Sequence, residues 1–222
     1  IDENVSKLKS LLLDHDVAAL ELLKDTESLV SESATGVRRI ARTVRALKDY
    51  ARLSPDDTRP VQINDVLAGA CRFARPAVQH RAEVVLELQP DLPKVDGDET
   101  RLEQVFTNLL LNAAQAIDNA PAGQQHRIRV RSFLQAGRVI VTVEDTGPGV
   151  PFSLRDQIFS PFFTTKAGSK GSGLGLPICR DILAHHRGQI TLDASRDLGG
   201  AEFRVTLPSV DHDRASDSSA LP

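Results

Sequence analysis

The order of its segments predicts that this 222-residue chain is an α+β protein, an α/β sandwich whose mixed sheet carries its helices on one face. Two observations predict this class. Stretches with helical periodicity alternate with stretches of strand periodicity, but without the regular rhythm of a doubly wound parallel sheet. A long segment of helical character, residues 1–54, comes first and is expected to form part of a helical hairpin or bundle.

The composition excludes several classes of protein before any motif is considered. The chain is 41% hydrophobic and 26% charged with a formal net charge of −3, so no global charge draws it to nucleic acid or to an anionic membrane. No apolar run approaches the roughly 20 residues that span a bilayer, and no signal peptide is visible. We expect a cytoplasmic protein with no membrane segment and no nucleic-acid partner.

Two residue types sharpen the expected setting. Cys71 and Cys179 have no metal-ligand partner at short spacing and make no disulfide framework, which indicates a reducing compartment where both serve as small apolar side chains. The chain contains no Met and begins at Ile1, so we expect a fragment or a processed chain.

The helical character of residues 1–54 rests on the absence of Pro before Pro55 and on a single Gly, Gly36. Apolar residues recur there at the spacing of one helix face, at Val37, Ile40, Ala41, Val44, Leu47 and Ala51. So narrow a stripe cannot bury itself alone. We therefore expect a second copy of the chain to complete the bundle as a homodimer.

Residues 55–60 are predicted to be a linker, because two prolines flank a charged cluster. Residues 61–208 then form the main domain, and residues 209–222 are expected to be a disordered tail. The predicted elements of the main domain are a helix over 65–77 capped by Asn64, a strand over 84–88, a helix from Asp98 or Thr100 to Ile117, strands over 128–133 and 139–144 joined as a hairpin, a helix over 176–186 ending at Gly188, and strands over 190–194 and 202–207.

The helix that ends at Ile117 carries two carboxamides on one face. Asn108 and Asn112 are four residues apart, so their side chains lie one turn apart on the same side. Carboxamide oxygens can bind a hard cation. An ordinary solvent-facing polar stripe is the alternative, and this helix by itself favours it.

Two glycine-rich stretches follow this helix. Asp145, Gly147 and Gly149 close a strand, where a carboxylate can accept a hydrogen bond from an exocyclic amine such as that of adenine; a plain turn is the alternative. Residues 166–175 hold four glycines and two lysines directly before a helix, so backbone N–H groups could cradle a phosphate. A flexible surface loop is the alternative, and the spacing is neither that of Walker A nor that of a dinucleotide-binding loop.

Together and in this order, the motifs over about 60–208 resemble the ATP-binding domain of the sensor histidine kinases of two-component systems. Its Bergerat-type fold is shared with gyrase, Hsp90 and MutL-type ATPases. The resemblance is carried by Asn108 and Asn112 (N box), Asp145, Gly147 and Gly149 (G1 box), residues 159–166 (F box), Gly171, Gly173 and Gly175 (G2 box) and residues 199–203 (last glycine turn and strand). Residues 37–53 also resemble the second helix of the kinase dimerisation hairpin.

The resemblance implies an ATP-dependent histidine kinase that uses Mg²⁺ and passes its phosphoryl group to an Asp of a response regulator receiver domain. It implies that Asn112, with Asn108 beside it, holds Mg²⁺ against the phosphates and that Asp145 binds the adenine amino group. It also implies a lid over 150–172, packed by Phe159 and Phe162. The other expected nucleotide-binding residues are Gly147, Gly149, Thr165, Lys166, Lys170, Gly171, Ser172, Gly173, Leu174 and Gly175.

Two alternatives to the kinase remain open at this point: an ATPase of the gyrase and Hsp90 kind, and a nucleotide-binding module without autophosphorylation. The resembling ATPases carry a Glu four positions before the metal-binding Asn, where it activates water. This chain has Asn108 at that place, and Glu103 falls on another face of the helix. The sequence therefore favours transfer to an acceptor over hydrolysis.

His15 is the candidate phosphoacceptor, because it alone of the six histidines falls in the helical region. Asp16 follows it, as an acid does in the family, but no Pro occurs in residues 17–21, where the family's helix bends. The alternative is an exposed histidine near a turn, with the acceptor helix missing from this chain. The other histidines are expected at the surface: His80, His126, His185, His186 and His212.

Overall fold

The computed structural model describes residues 58–118, 125–165 and 173–210, together with residues 22, 25, 26, 29–34, 36 and 37. The chain divides into two compact units, and the larger comprises residues 50–165 and 173–222. In the smaller unit every described residue is helical. The rest of the predicted N-terminal helix, with His15, lies outside the described residues.

The described part of the larger unit contains a five-stranded sheet, a two-stranded sheet and three helices. In chain order the elements are β1 (Arg59–Val61), α1 (Ile63–Val78), β2 (Glu83–Leu88), β3 (Val95–Gly97), α2 (Glu99–Ile117), β4 (Arg127–Gln135), β5 (Arg138–Asp145), two 3₁₀ turns (Phe152–Leu154 and Gln157–Phe159), α3 (Gly175–His185), β6 (Gln189–Ala194) and β7 (Ala201–Pro208).

The larger sheet is mixed, as expected. Its strand order is β2-β4-β5-β7-β6, with β2 parallel to β4 and the other pairs antiparallel. The parallel pair requires a crossover, which the chain makes through β3 and α2. The short strands β1 and β3 pair antiparallel in a separate sheet. Neither was predicted, because three residues are too few to show an alternating pattern.

Helix α2 lies at the centre of the helical layer and contacts α1, α3 and the central strand β5. Its apolar stripe is fully buried, with Leu102, Val105, Phe106 and Leu109 at 0% exposure. All but the first residue of β5 are buried too. The removal of these apolar side chains from water is the main favourable term that holds the layers together.

The structure confirms the predicted start of α2 at Asp98 and the predicted hairpin between β4 and β5. The Asp98 carboxylate caps α2, accepting from the backbone N–H of Thr100 at 2.9 Å and of Arg101 at 3.2 Å. The hairpin turn between β4 and β5 consists of Ala136 and Gly137, both with positive φ (49° and 72°). A two-residue turn of that shape matches the twist of its flanking strands.

The predicted cap at Asn64 is wrong, since α1 begins at Ile63 after Gln62. The Asn64 side chain instead donates to the carbonyl of Gln89 at 2.9 Å and accepts from the Ser132 hydroxyl at 2.7 Å. Asn64 does not cap the helix, because Gln89 after β2 and Ser132 on β4 already bond the nitrogen and the oxygen of its side-chain amide.

The end of α3 also differs from the prediction. The left-handed residue that closes the helix is Arg187 (φ 51°) and not Gly188. Gly188 donates its N–H to Leu183 O at 2.8 Å, and a Cβ placed on it would lie 2.7 Å from Thr206 O. This glycine therefore permits close contact with β7.

The described residues of the main domain extend slightly beyond 61–208. β1 begins at Arg59, inside the predicted linker. At the other end, Ser209 N donates to Gly137 O and Val210 N to Lys94 O, so two residues of the predicted tail are bonded to the domain. Residues 51–57 and 211–222 lie outside the described part.

Among the described helices, none has the length and apolar character that crossing a membrane requires. Both cysteines are free thiols; Cys179 is buried and Cys71 half-buried. Burial raises the pKa of Cys179 to about 12, which fits the small apolar role predicted for it.

Candidate nucleotide site

Helix α2 carries the two predicted carboxamides and places Asn108 beside the start of α3. Asn108 and Asn112 are half-buried on the same face. The Asn108 amide nitrogen donates to the Cys179 sulfur at 3.8 Å, and its Cγ lies 3.9 Å from where a Cβ on Gly175 would be. With its nitrogen turned toward a buried thiol, Asn108 keeps its oxygen for a ligand.

Asp145 ends β5 and is buried, with 1% exposure. Its Oδ1 accepts from the N–H of Gly147 at 2.8 Å and from the N–H of Ala201 at 3.3 Å. Burial raises the pKa of the Asp145 carboxyl, and these two hydrogen bonds offset only part of that effect. Both bonds use Oδ1, so the second oxygen is left for a donor on a ligand.

Glycines bring the backbone directly against Asp145. A Cβ on Gly147 would lie 2.8 Å from Asp145 Oδ1 and 3.1 Å from Ala116 Cβ, and a Cβ on Gly200 would overlap Asp145 itself. Gly149 (φ 70°) lies against Gly200. Only glycines allow this approach. The sequence motif predicts that Gly200 belongs to a turn. Nothing near Gly200 in the sequence predicts its contact with Asp145.

The spacing along α2 matches one nucleotide. Gly147 touches Ala116 near the end of the helix, and Gly175 lies beside Asn108, eight residues earlier. Eight helical residues span about 12 Å. A base at Asp145 would therefore leave its phosphates near Asn108, Asn112 and the start of α3.

The N-terminus of α3 is suited to an anion. Its N-cap residue, Leu174, is in the αR conformation and has an apolar side chain that cannot cap the helix. The first N–H groups of a helix lack partners within the helix, and they carry the positive end of its dipole. Four residues predicted to contact phosphate lie outside the described part: Lys166, Lys170, Gly171 and Ser172.

The described part of the predicted lid, residues 150–165, holds the two 3₁₀ turns. Phe159 is buried, with the Arg180 guanidinium 6.0 Å from its ring centroid, whereas Phe162 is 66% exposed. The expectation that both rings pack the lid is therefore wrong for Phe162. Its backbone N–H instead donates to Gly173 O at 2.9 Å, which bonds the described part of the lid to the residue just beyond the lid. Thr165 is exposed.

The prediction that His186 is a surface residue is also wrong. It is 6% exposed, its Nε2 accepts from the N–H of Asp98 at 2.9 Å, and its Nδ1 lies 2.7 Å from Ile182 O. Burial lowers the pKa of the imidazole. His186 thus ties the end of α3 to the start of α2. His80 and His185 are exposed as expected, whereas His126 is half-buried, with its Nδ1 3.1 Å from Thr146 Oγ1.

The donors available near α2 suit a hard cation but not a hydrolytic base. Among the described residues, no three His, Cys, Asp or Glu side chains cluster as a metal site. A cation here would bind carboxamide oxygen, phosphate and water, a donor set that Mg²⁺ accepts. Glu103 does not face the asparagines, since its Oε2 lies 2.8 Å from where a Cβ on Gly69 of α1 would be.

The chain is similar to known proteins. Residues 97–211 match the family described as histidine kinase-, DNA gyrase B- and HSP90-like ATPases. The sensory histidine kinase/phosphatase NtrB of Rhodobacter capsulatus is 32% identical over 201 residues, which are 85% of this chain and 53% of NtrB. The chain thus spans about half of that relative.

Two solved structures are similar to the fold. The histidine kinase ThkA, in complex with the response regulator TrrA, is 27% identical with a TM-score of 0.61, covering 78% of this chain and 49% of that one. Full-length ShkA, in complex with AMPPNP, is 30% identical with a TM-score of 0.57, covering 69% of this chain and 31% of that one.

The family match, the similarity to histidine kinases and the geometry around α2 all indicate a nucleotide-binding domain of this kind. The chain belongs to the histidine kinase-, DNA gyrase B- and HSP90-like ATPase family, and the relatives named here, to which it is similar, are histidine kinases.

Proposed function

We propose that this chain is the catalytic part of a sensor histidine kinase, which transfers the γ-phosphoryl group of ATP to a histidine and thence to an Asp of a response regulator. One observation carries the proposal: α2 joins a buried carboxylate site at Gly147 to a pair of carboxamides and a helix N-terminus at Gly175. Groups suited to bind a base, a triphosphate and a cation therefore lie along a single helix.

In this proposal, Asp145 recognises the base of the nucleotide. Its free carboxylate oxygen accepts a hydrogen bond from the adenine 6-amino group, and burial strengthens this bond because water does not compete. A purine with a 6-carbonyl group would instead face the carboxylate with a second acceptor. Asp145 therefore selects adenine over guanine or hypoxanthine.

The phosphates lie at the other end of the site. Asn112 and Asn108 would hold Mg²⁺ through their oxygens, and the ion would supply charge neutralisation at the phosphates. The N–H groups at the start of α3 bind phosphate oxygens, as do Lys166, Lys170, Gly171 and Ser172 in this proposal. Phosphoryl transfer needs mainly positioning and charge neutralisation, which this set supplies.

The residues of the site favour transfer of the phosphoryl group to an acceptor over hydrolysis of ATP. A hydrolytic site needs a base near the attacking water. The position one turn before Asn112 holds Asn108, and the Glu103 carboxylate lies toward α1 at Gly69. An acceptor imidazole brings its own nucleophilic nitrogen, so a kinase does not need that carboxylate.

The remaining assignments extend the same proposal. His15 is the candidate acceptor within this chain, and a response regulator receiver domain is the partner. In the smaller unit, the exposed residues Leu22 and Leu29, and likewise Val30 and Val37, are seven positions apart, which supports a helical homodimer. Use of ATP supports a cytoplasmic location.

The test is incubation with Mg²⁺ and γ-labelled ATP, followed by separate measurement of protein-bound and released phosphate. We expect acid-labile, alkali-stable phosphate on the protein, with no steady release of inorganic phosphate. Steady release without phosphoprotein would assign the chain to the hydrolases. ATP binding without either product would leave a nucleotide-binding module and overturn the kinase proposal. A His15→Ala variant that is still phosphorylated would exclude His15 as the acceptor.

A further inference from the structure

The turn between β6 and β7, residues 195–200, supplies part of the Asp145 environment. Three hydrogen bonds shape it: Ser195 N to Gly200 O at 2.8 Å, Gly199 N to Ser195 O at 3.3 Å, and Leu198 N to Ser195 Oγ at 3.0 Å. The turn delivers Gly200 into contact with Asp145, and Ala201, the next residue, donates its N–H to Asp145 Oδ1.

The same turn is held from the other face of the sheet by Glu144. Glu144 and Asp145 are neighbours on β5, so their side chains point to opposite faces. Glu144 is 1% exposed, and its Oε2 accepts from Ser195 Oγ at 2.8 Å and from Arg129 Nη2 at 2.8 Å. Arg129 also pairs with Asp197 of the turn at 2.6 Å.

Arg131 completes this cluster, since its Nη2 donates to Glu144 Oε1 at 2.6 Å. Burial opposes ionisation of Glu144. The hydrogen bonds from Arg129 and Ser195, with the charges of both arginines, outweigh it and keep the pKa of the Glu144 carboxyl below its ordinary value. Glu144 therefore remains a charged acceptor at neutral pH, and the turn has a permanent anchor.

Stability alone does not account for a charge buried here. A buried ion pair can often be replaced by apolar side chains without loss of stability. What apolar side chains would not reproduce is the direction of the Ser195 hydroxyl, which accepts from Leu198 N while it donates to Glu144. The anchor sets the conformation of a turn whose end lies against Asp145.

We infer that Glu144 and Ser195 are positioning residues for base recognition: they hold the β6–β7 turn so that Ala201 and Gly200 fix the Asp145 carboxylate with one oxygen facing the purine. This inference rests on the proposed function, in which Asp145 reads the adenine amino group. Loss of the anchor should loosen the Asp145 carboxylate and weaken its choice between a 6-amino and a 6-carbonyl purine.

The experiment compares the binding of ATP and inosine triphosphate, which carries a carbonyl where adenine carries its amine. Both share the same triphosphate, so the ratio of their affinities isolates the base. We expect Ser195→Ala to lower the preference for ATP by about three- to tenfold, the loss from one weakened hydrogen bond. If the turn has a purely structural role, Ser195→Ala should weaken the binding of ATP and of inosine triphosphate equally. An unchanged ratio of the two affinities would overturn the inference.

Ser209→Ala is the matched control. Ser209 is also buried, at 3% exposure against 5% for Ser195, and its hydroxyl donates to Gly137 O at 2.7 Å at the far end of the sheet. This variant should keep the wild-type ratio. Asp197→Asn, at an exposed position of the same turn, gives a second and milder test if Ser195→Ala does not fold.

A double-mutant cycle shows whether Ser195 acts through Asp145. In an Asp145→Asn background, Ser195→Ala should no longer change the ratio. An undiminished effect there would contradict the inference. If the wild-type chain binds neither nucleotide, the proposed function fails; if it prefers ATP and Ser195→Ala behaves like Ser209→Ala, only the positioning role fails.

Discussion

Asp145 and Phe162 both belong to the predicted nucleotide-binding motifs, and their surroundings are opposite in character. Asp145 is 1% exposed and receives two backbone hydrogen bonds, while Phe162 is 66% exposed and holds Gly173 through one. A hydrogen bond from the distant Ala201 helps to preorganise Asp145, whereas the Phe162 side chain is largely in solvent. Substitutions at Asp145 should change affinity and selectivity; those around Phe162 should change the local stability of the lid.

The largest effect is expected from Asp145→Asn. The amide nitrogen would then face the adenine amine with a second donor, so ATP should bind about a hundredfold more weakly, the cost of replacing a charged acceptor by a mismatched donor. The same nitrogen can donate to a 6-carbonyl, so inosine triphosphate should lose little affinity or gain some. Calorimetric titration with both nucleotides measures this.

The control for that variant is Asp193→Asn on β6, which removes an exposed carboxylate that pairs with Arg155 at 3.1 Å. It should bind ATP as the wild type does. Equal affinity of the Asp145→Asn variant and the wild type for ATP would mean that the base is not read at Asp145.

Asn112→Ala should cause the next largest change, which concerns the cation. In the wild type, Mg²⁺ should strengthen ATP binding and support phosphoryl transfer. Without the carboxamide oxygen, ATP affinity should respond about tenfold less to Mg²⁺, because one of a few direct ligands is gone. Titrations with Mg²⁺ and with a chelator, run on both proteins, give the comparison, and an unchanged response would remove Asn112 from the site.

Gly173→Ala tests the base of the lid. Gly173 has φ 66°, and a Cβ on it would overlap the Phe162 backbone. Gly199→Ala is a matched control, since Gly199 has φ 82° but nothing within 4 Å of its Cβ position. The control should cost about 1–2 kcal/mol of unfolding free energy from the positive φ alone. Gly173→Ala should cost more or expose the lid to proteolysis, and equal behaviour of the two variants would show that the Phe162 contact is not needed.

The smallest effect concerns pH. Burial lowers the pKa of His186, so the unfolded chain binds its proton more readily than the folded chain does. Unfolding free energy should therefore fall as pH drops below about 6.5, the ordinary histidine value. Charge on Asp98 favours protonation of His186, whereas Arg101 and His185 oppose it.

Denaturant unfolding of His186→Gln on either side of that pH should show a smaller fall than the wild type. His185→Gln removes only a neighbouring charge that opposes protonation of His186, so it should change the slope less than His186→Gln does. If His186→Gln and the wild type show the same slope, the bond from Asp98 N to His186 does not control the acid response.

Much of the fold was predictable because its signals are local. The stripe of Leu102, Val105 and Phe106 has helical period, Asp98 caps the same helix two residues from its donor, and the hairpin turn needs only Ala136 and Gly137. Each of these depends on backbone geometry within a few residues. The candidate site was predictable for a similar reason, since its motifs have recognisable residue types in a recognisable order.

By itself the sequence determined the helices, the strands of the main sheet and the residue types of the nucleotide site. The tertiary structure decided which of those residues meet. Asn64 bonds to Ser132, His186 to Asp98, and Glu144 to Ser195, pairs separated by 51 to 88 positions. Such pairs depend on the strand order and on how α2 and α3 pack over it. No periodicity or local propensity encodes them, because the free energy of each bond is gained only after the layers have closed.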